Sequence, residues 1–134
     1  MLATLRTIVQ EVNSARSLPE VLRIIVTEVR LAMNAGVCSV YLFDETDQRY
    51  VLMATEGLRA ESIGKVRLAM REGLVGLVAS KEEPLNLKDA DQHPNYAYFE
   101  ETGEAPYHSF LGVPIIHHRK VLGVLVLQQQ TERR

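Results

Sequence analysis

The sequence predicts an α+β domain in which an antiparallel sheet is covered on both faces. The first observation is the stretch from Phe110 to Gln128. Two apolar, β-branched-rich runs, Phe110 to Ile116 and Val121 to Leu127, flank the polar residues His117-His-Arg-Lys120, which is the form of a β-hairpin. Neither run alternates cleanly between apolar and polar residues, so layers are expected above and below these strands. The second observation is a pair of apolar stripes at helical spacing near the N-terminus, followed by another hairpin pattern. In a chain of 134 residues one covering layer is free to enclose a ligand. The pattern therefore points to a sensor or binding domain.

The elements follow in order. Leu5, Ile8, Val9 and Val12 fall at helical spacing, which predicts an amphipathic helix from about Leu2 to Asn13. Ser17-Leu-Pro-Glu20 has the form of a capping box, and behind it Val21, Leu22, Ile25, Val29, Ala32 and Met33 draw a second stripe. Asn34-Ala-Gly36 stops that helix. Val37 to Phe43 reads as a strand, paired through the polar turn Asp44 to Arg49 with Tyr50 to Thr55. A third strand is expected from Lys65 to Met70. The glycines of Glu72-Gly-Leu-Val-Gly76 then open a short helix, which Glu83-Pro84 breaks, and Leu85 to Leu87 adds a short strand. From Lys88 to Tyr107 the pattern dissolves into Asp, Pro, Tyr and Glu. Long irregular stretches in compact domains are usually lids or binding loops.

Composition narrows the function. One domain spanning 1–134 is expected from the length. A hydrophobic content of 46% suffices for a core, and a net charge of -2 leaves no electrostatic footprint for nucleic acid. Gly112 and Pro114 interrupt the best apolar run, and the N-terminus lacks a signal-peptide core, so a cytoplasmic protein with no membrane contact is expected. Cys38 is the single cysteine, which rules out an internal disulfide and a CxxC zinc site. No metal or cofactor is expected. His117-His118 could suggest a metal pair, but adjacent strand residues point to opposite faces, and an exposed turn is the better reading.

Certain motifs carry a resemblance that covers essentially the whole chain. They are Cys38-Ser-Val-Tyr-Leu42, Glu72-Gly-Leu-Val-Gly76, Pro84-Leu-Asn-Leu-Lys-Asp89 with His93-Pro94 after it, and Phe110-Leu-Gly-Val-Pro114 paired with Leu122-Gly-Val-Leu125. In this order they resemble a GAF domain. The opening Met-Leu-x-x-Leu-Arg-x-Ile-Val and the run Phe110 to Ile116 further resemble the N-terminal GAF domains of nitrogen-related phosphoenolpyruvate-protein phosphotransferases, the Enzyme I proteins of that phosphotransferase system. The resemblance implies a GAF-like six-stranded antiparallel sheet, with N-terminal helices on one face and a short-helix and loop ligand pocket on the other. A GAF domain normally ends in a long helix after its last strand, and Thr131-Glu-Arg-Arg134 falls where that helix would begin. The expectation is a single GAF domain truncated at its C-terminal helix. It would be a non-catalytic regulatory part of a phosphotransferase, acting on downstream phosphotransfer domains of the same chain.

The candidate ligand site combines residue reasoning with that resemblance. In the first strand Cys38, Val40 and Leu42 share one face, suited to helix packing, and Ser39, Tyr41 and Phe43 share the other. Hydroxyls suit a pocket that must orient a polar ligand. By the same alternation Met53 and Thr55 are expected on the pocket face. Leu74, Val75 and Gly76 would offer amides at a helix N-terminus to a carboxylate or phosphate. As a phosphate loop, Gly73-x-x-Gly76 lacks the Gly-Lys-Ser/Thr that would follow. Asp89, His93, Tyr96 and Phe110 complete the assigned set. Tyr41 reads equally as a core-edge tyrosine bonded to backbone, and half of Tyr96, Tyr98, Phe99 and Tyr107 as anchors of a loop.

Two rival effectors follow from the resemblance, glutamine and 2-oxoglutarate. The segment from Asp89 to Pro106 carries Asp89, Asp91, Glu100, Glu101 and Glu104 with no Lys or Arg, which disfavours a dianion and favours glutamine. The bland alternative is a solvated acidic face, with Lys88 or Arg71 turned inward to an anion. A ligand-free homodimerisation module is the other function class, supported by the stripe from Leu2 to Asn13. A cyclic-nucleotide GAF domain is a lesser alternative, because the Asn-Lys…Phe…Asp-Glu signature is absent.

Overall fold

A computed structural model describes residues 6, 17–90, 93–94 and 109–129. The expected helix from Leu2 to Asn13, apart from Arg6, lies outside the described residues, as do Tyr96 and most of the segment after Ala90. Helix α1 spans Leu18–Met33. Ser17 caps it from an extended backbone, its hydroxyl accepting from the Glu20 N–H at 3.3 Å. Asn34 ends it in the left-handed region at φ 51°, and the Ala35 N–H donates to the Arg30 carbonyl at 3.0 Å. The expected stripe holds at Leu22, Val29 and Met33, but Ile24 and Val26 are buried where Ala32 is exposed. The buried set is therefore wider than the single expected stripe.

The strands are β1 (Val37–Asp44), β2 (Arg49–Glu56), β3 (Arg67–Ala69), β4 (Leu85–Leu87), β5 (Ser109–His117) and β6 (Lys120–Gln129). They form one six-stranded antiparallel sheet in the order β3-β2-β1-β6-β5-β4. A short 3-10 turn (Ala60–Ser62) precedes β3, and helix α2 spans Gly73–Lys81. The third strand is shorter than the expected Lys65 to Met70. Its first residues are taken by turn bonds, with the N–H groups of Lys65 and Val66 both donating to the Ser62 carbonyl. At its far end the Glu72 N–H turns back to the Ala69 carbonyl at 2.9 Å.

Two cores lie on opposite faces of the sheet. On one, Leu22 and Val26 of α1 pack with Cys38, Val40, Ala54 and Leu127, and Leu42 lies at the edge. On the other, Leu74, Val75, Val78 and Ala79 of α2 pack with Tyr41, Leu52, Phe110, Val124 and Val126, and Phe43 lies at the edge. The face assignment of β1 made from alternation therefore holds.

Alternation fails in β2. Val40 pairs with Ala54 but Tyr41 pairs with Leu52, so Met53 is an extra residue in a β-bulge. Met53 consequently packs on the α1 side, not on the face shared by Thr55 and expected for it. Beyond the bulge the parity reverses, and Leu52 and Tyr50 take the α2 face. A second bulge makes Leu122 the extra residue of β6, since Ile115 pairs with Gly123 and Ile116 with Val121.

His117 pairs with Lys120, so the hairpin turns on His118 and Arg119 alone. Both have positive φ, 50° and 64°, as a type I′ turn requires. Asn-Gly suits these positions, and a side chain held in the left-handed region costs about 1–2 kcal/mol per residue. The double variant His118→Asn, Arg119→Gly should therefore gain about 1 kcal/mol of stability, after the added freedom of glycine in the unfolded chain is subtracted. Urea denaturation of the variant beside the parent checks this, and an unchanged or lower midpoint would refute it.

Candidate functional site

The face under α2 carries the expected hydroxyls. The Ser39 and Thr55 hydroxyls share a hydrogen bond of 2.9 Å, which satisfies a pair of polar groups inside the sheet, Ser39 being fully buried. Tyr41 stands beside them in the core, 8% exposed. Among the described residues its hydroxyl has no hydrogen-bond partner, so the backbone-bonded alternative finds no partner there. Burial pushes that hydroxyl from an ordinary 10.0 up to about 12, so it remains a neutral donor near pH 7.

One of the three expected α2 amides, that of Gly76, departs from expectation. The Gly76 N–H donates to the Glu72 carbonyl at 3.0 Å and is therefore not open to a ligand. Leu74 and Val75 turn their side chains into the core. The glycine at 76 is still needed, for a different contact from the sheet packing its motif suggests. A Cβ there would lie 2.5–2.8 Å from backbone atoms of Arg71, so the helix seats on the preceding loop. Glu72 fixes that loop from the other side, its carboxylate accepting from the Ala69 N–H at 2.8 Å.

The remaining expected residues scatter. Phe110 is buried in the same core as Tyr41, its ring tips close to the hydrogen-side face of Gly112. Asp89 is exposed beside buried Ala90, and His93 is half-buried with its N–H on the Ala90 carbonyl at 3.0 Å. Asp91, Glu100, Glu101 and Glu104 lie outside the described residues. Tyr50 and Ser80 were not in the expected set, yet with Met70, Arg71, Gly76 and Ala79 they line a cavity of about 170 Å³ beside α2. Tyr50 escapes alternation counted from Thr55 because the Met53 bulge reverses the parity. Burial and the charge of Glu82 both raise the Tyr50 pKa.

Cys38 sits on the opposite, α1-covered face, fully buried. Burial pushes its thiol from 9.0 up to about 12, with Arg30 opposing weakly, so it is a thiol and not a nucleophile near pH 7. His117 and His118 stand in the exposed hairpin turn, their rings 3.9 Å apart. Among the described residues no three His, Cys, Asp or Glu groups come together to hold a metal ion, and no helix is long and apolar enough to cross a membrane.

Two measurements follow. Replacing Gly76 by Val should cost about 1–3 kcal/mol by driving α2 off the Arg71 backbone, and thermal melting beside the parent checks it. The buried Tyr41 and Cys38 acids, whose pKa values are raised on folding, contribute stability that is complete below pH 9.0 and is lost as pH climbs toward about 12. Denaturation midpoints should fall across that range, and Tyr41→Phe should flatten the fall above pH 10.0. A slope unchanged in the variant would show that Tyr41 ionises as freely in the folded protein as in the unfolded one.

Comparison with known proteins agrees with this architecture. The sequence profile of the GAF domain family matches residues 17–134. A curated relative, the "Phosphoenolpyruvate-dependent phosphotransferase system" protein of Escherichia coli K12, is 50% identical over 121 residues, covering 90% of this chain. The chain spans only 16% of that relative's length. The solved GAF domain from Acinetobacter phosphoenolpyruvate-protein phosphotransferase superimposes with a TM-score of 0.87 at 50% identity, covering 98% of this chain and 78% of that one. The GAF domain from a phosphoenolpyruvate-protein phosphotransferase of Coxiella burnetii gives 0.92 at 47% identity, covering 98% and 79%. The chain belongs to the GAF domain family.

Proposed function

We propose that this chain is the regulatory, small-molecule-sensing domain of a phosphoenolpyruvate-dependent phosphotransferase system protein. The observation that carries the reading is the 50% identity, over 90% of the chain, to a relative bearing that description. The chemistry of the domain supports a sensor over an enzyme. Its buried face offers neutral hydroxyls at Tyr41 and Tyr50, which orient a ligand by hydrogen bonds, while its one thiol is sealed on the other face. In this reading the domain itself is non-catalytic and cytoplasmic, and passes ligand occupancy to downstream phosphotransfer domains of the same chain.

The effector signals nitrogen status, with glutamine favoured over 2-oxoglutarate. The acidic run from Asp89 to Glu104 supports that order, because a dianion meets repulsion where a zwitterion does not. Calorimetric titration of both compounds should give heat with glutamine. Tight 2-oxoglutarate binding without a glutamine signal would overturn the assignment.

A structural reading runs beside this one. Leu18 and Leu31 of α1 are 55% and 61% exposed, which is apolar surface of the kind that pairs chains. Sedimentation should show a dimer, and a strictly monomeric chain at high concentration would remove dimerisation from the proposal.

A further inference from the structure

The cavity beside α2 combines groups of complementary chemistry on an unusually constrained loop. Tyr50 is 6% exposed, and its hydroxyl has no hydrogen-bond partner among the described residues. Its ring packs against Phe43 with centroids 5.1 Å apart, and the residue lines the cavity. Arg71 is exposed at the rim and likewise has no ion-pair or hydrogen-bond partner among the described residues. Among the described residues Arg30 Nε alone is a buried side-chain polar atom without a partner, so the Tyr50 hydroxyl, like Arg71, is accessible to an acceptor.

The backbone adds an independent observation. Arg71 sits at φ 81°, a left-handed conformation that a non-glycine residue seldom adopts. Strain of this kind persists only where surrounding structure enforces it, and it clusters at ligand-binding positions. Here the enforcement is visible: Glu72 ties the loop to Ala69, and the bare Cα of Gly76 lets α2 press against the Arg71 backbone. The loop thus holds Arg71 at the rim of the cavity.

We propose that this cavity is a carboxylate-binding subsite, in which Arg71 receives the carboxylate and the Tyr50 hydroxyl donates a further hydrogen bond to it. The guanidinium fork matches a carboxylate bidentately. A volume of about 170 Å³ holds roughly six waters at ~30 Å³ each, which suits the backbone end of an amino acid. The charge of Glu82 reaches the Tyr50 hydroxyl, so it opposes any carboxylate there, a dianion more than a monocarboxylate, leaves Arg71 to supply the net attraction, and favours an ammonium group alongside. The Ser80 hydroxyl, which donates to the Leu77 carbonyl at 3.1 Å, keeps lone pairs free to accept from that ammonium. The ligand class is a zwitterionic amino acid. Its regulatory role rests on the sensor reading above, whereas the subsite chemistry does not. The carboxylate is thereby placed at Arg71 and not at the Gly76 N–H, which is already taken.

The test is titration of the ¹⁵N-labelled protein with sodium acetate, glycine, succinate and glutamine at constant ionic strength, with chloride as the control salt. Acetate and glycine should shift the Arg71 Nε–H and the Gly76 and Ser80 amide resonances saturably, and succinate should bind more weakly than glycine. Affinity for acetate should fall about tenfold in Arg71→Gln and partly recover in Arg71→Lys, with Tyr50→Phe weakened less. Shifts that fail to saturate, that chloride reproduces, or that survive unchanged in Arg71→Gln would overturn the subsite. Glutamine binding that is indifferent to Arg71→Gln would overturn it too, while leaving the sensor reading intact. Acetate binding lost in Arg71→Gln, with no glutamine binding in the parent, would support the subsite and refute glutamine as the effector.

Discussion

Two-sided burial of the central strand is the constraint on which the rest of this domain depends. Val37, Cys38, Ser39 and Val40 are each at most 1% exposed, and β1 lies between β2 and β6 in the middle of the sheet. No position along that stretch faces water, so every side chain must be matched by a layer above or below it. On one side α1 supplies Leu22 and Val26, and on the other α2 supplies Leu74, Val75 and Val78. Even the single hydroxyl in the stretch is matched, by Thr55 directly across the strand pair. A change of one register step in β1 would exchange the two layers' partners, which makes the pairing of β1 the most strongly specified in the fold.

The bulge at Met53 is what reconciles this burial with a candidate site. It lets β2 present Thr55 opposite Ser39 at one end of the strand, and still turn Tyr50 inward at the other. Without it, strict alternation would bring Val51 and Arg49 to the α2 face, and an arginine would enter an apolar core. Bulges concentrate near functional sites because they re-aim a side chain without breaking the sheet. Tyr50 is such a re-aimed side chain.

The loop before α2 shows the same economy. Arg71 has φ 81° and Gly73 has φ 66°, so the chain passes through two left-handed residues as it enters the helix. Gly76 then allows backbone contact between helix and loop that any Cβ would prevent. Elsewhere charge does the positioning. Arg67 reaches Asp47 at 2.8 Å and Asp44 at 2.9 Å, and Lys120 reaches Glu45 at 2.6 Å, tying the β1–β2 turn to β3 and to the second hairpin. These pairs are exposed or half-buried and contribute orientation more than stability.

Much of this was legible in local sequence, because local rules govern it. The Ser17 cap, the Asn34 stop, the break at Pro84, both hairpins and the two faces of β1 follow from capping, turn chemistry and alternation, each of which acts over a few residues. The motifs from Cys38 to Leu125 likewise disclosed the GAF resemblance. What the sequence could not disclose was decided between elements. Whether β2 keeps strict alternation depends on its pairing with β1 across the sheet, and so Met53 was placed on the wrong face and Tyr50 was missed. Whether the Gly76 N–H is open depends on the position of the Glu72 carbonyl, which the motif alone does not give. Periodicity fixes direction only while every residue of a strand has a partner; Met53 has none, so the inward turn of Tyr50 toward the α2 face is a property of tertiary pairing.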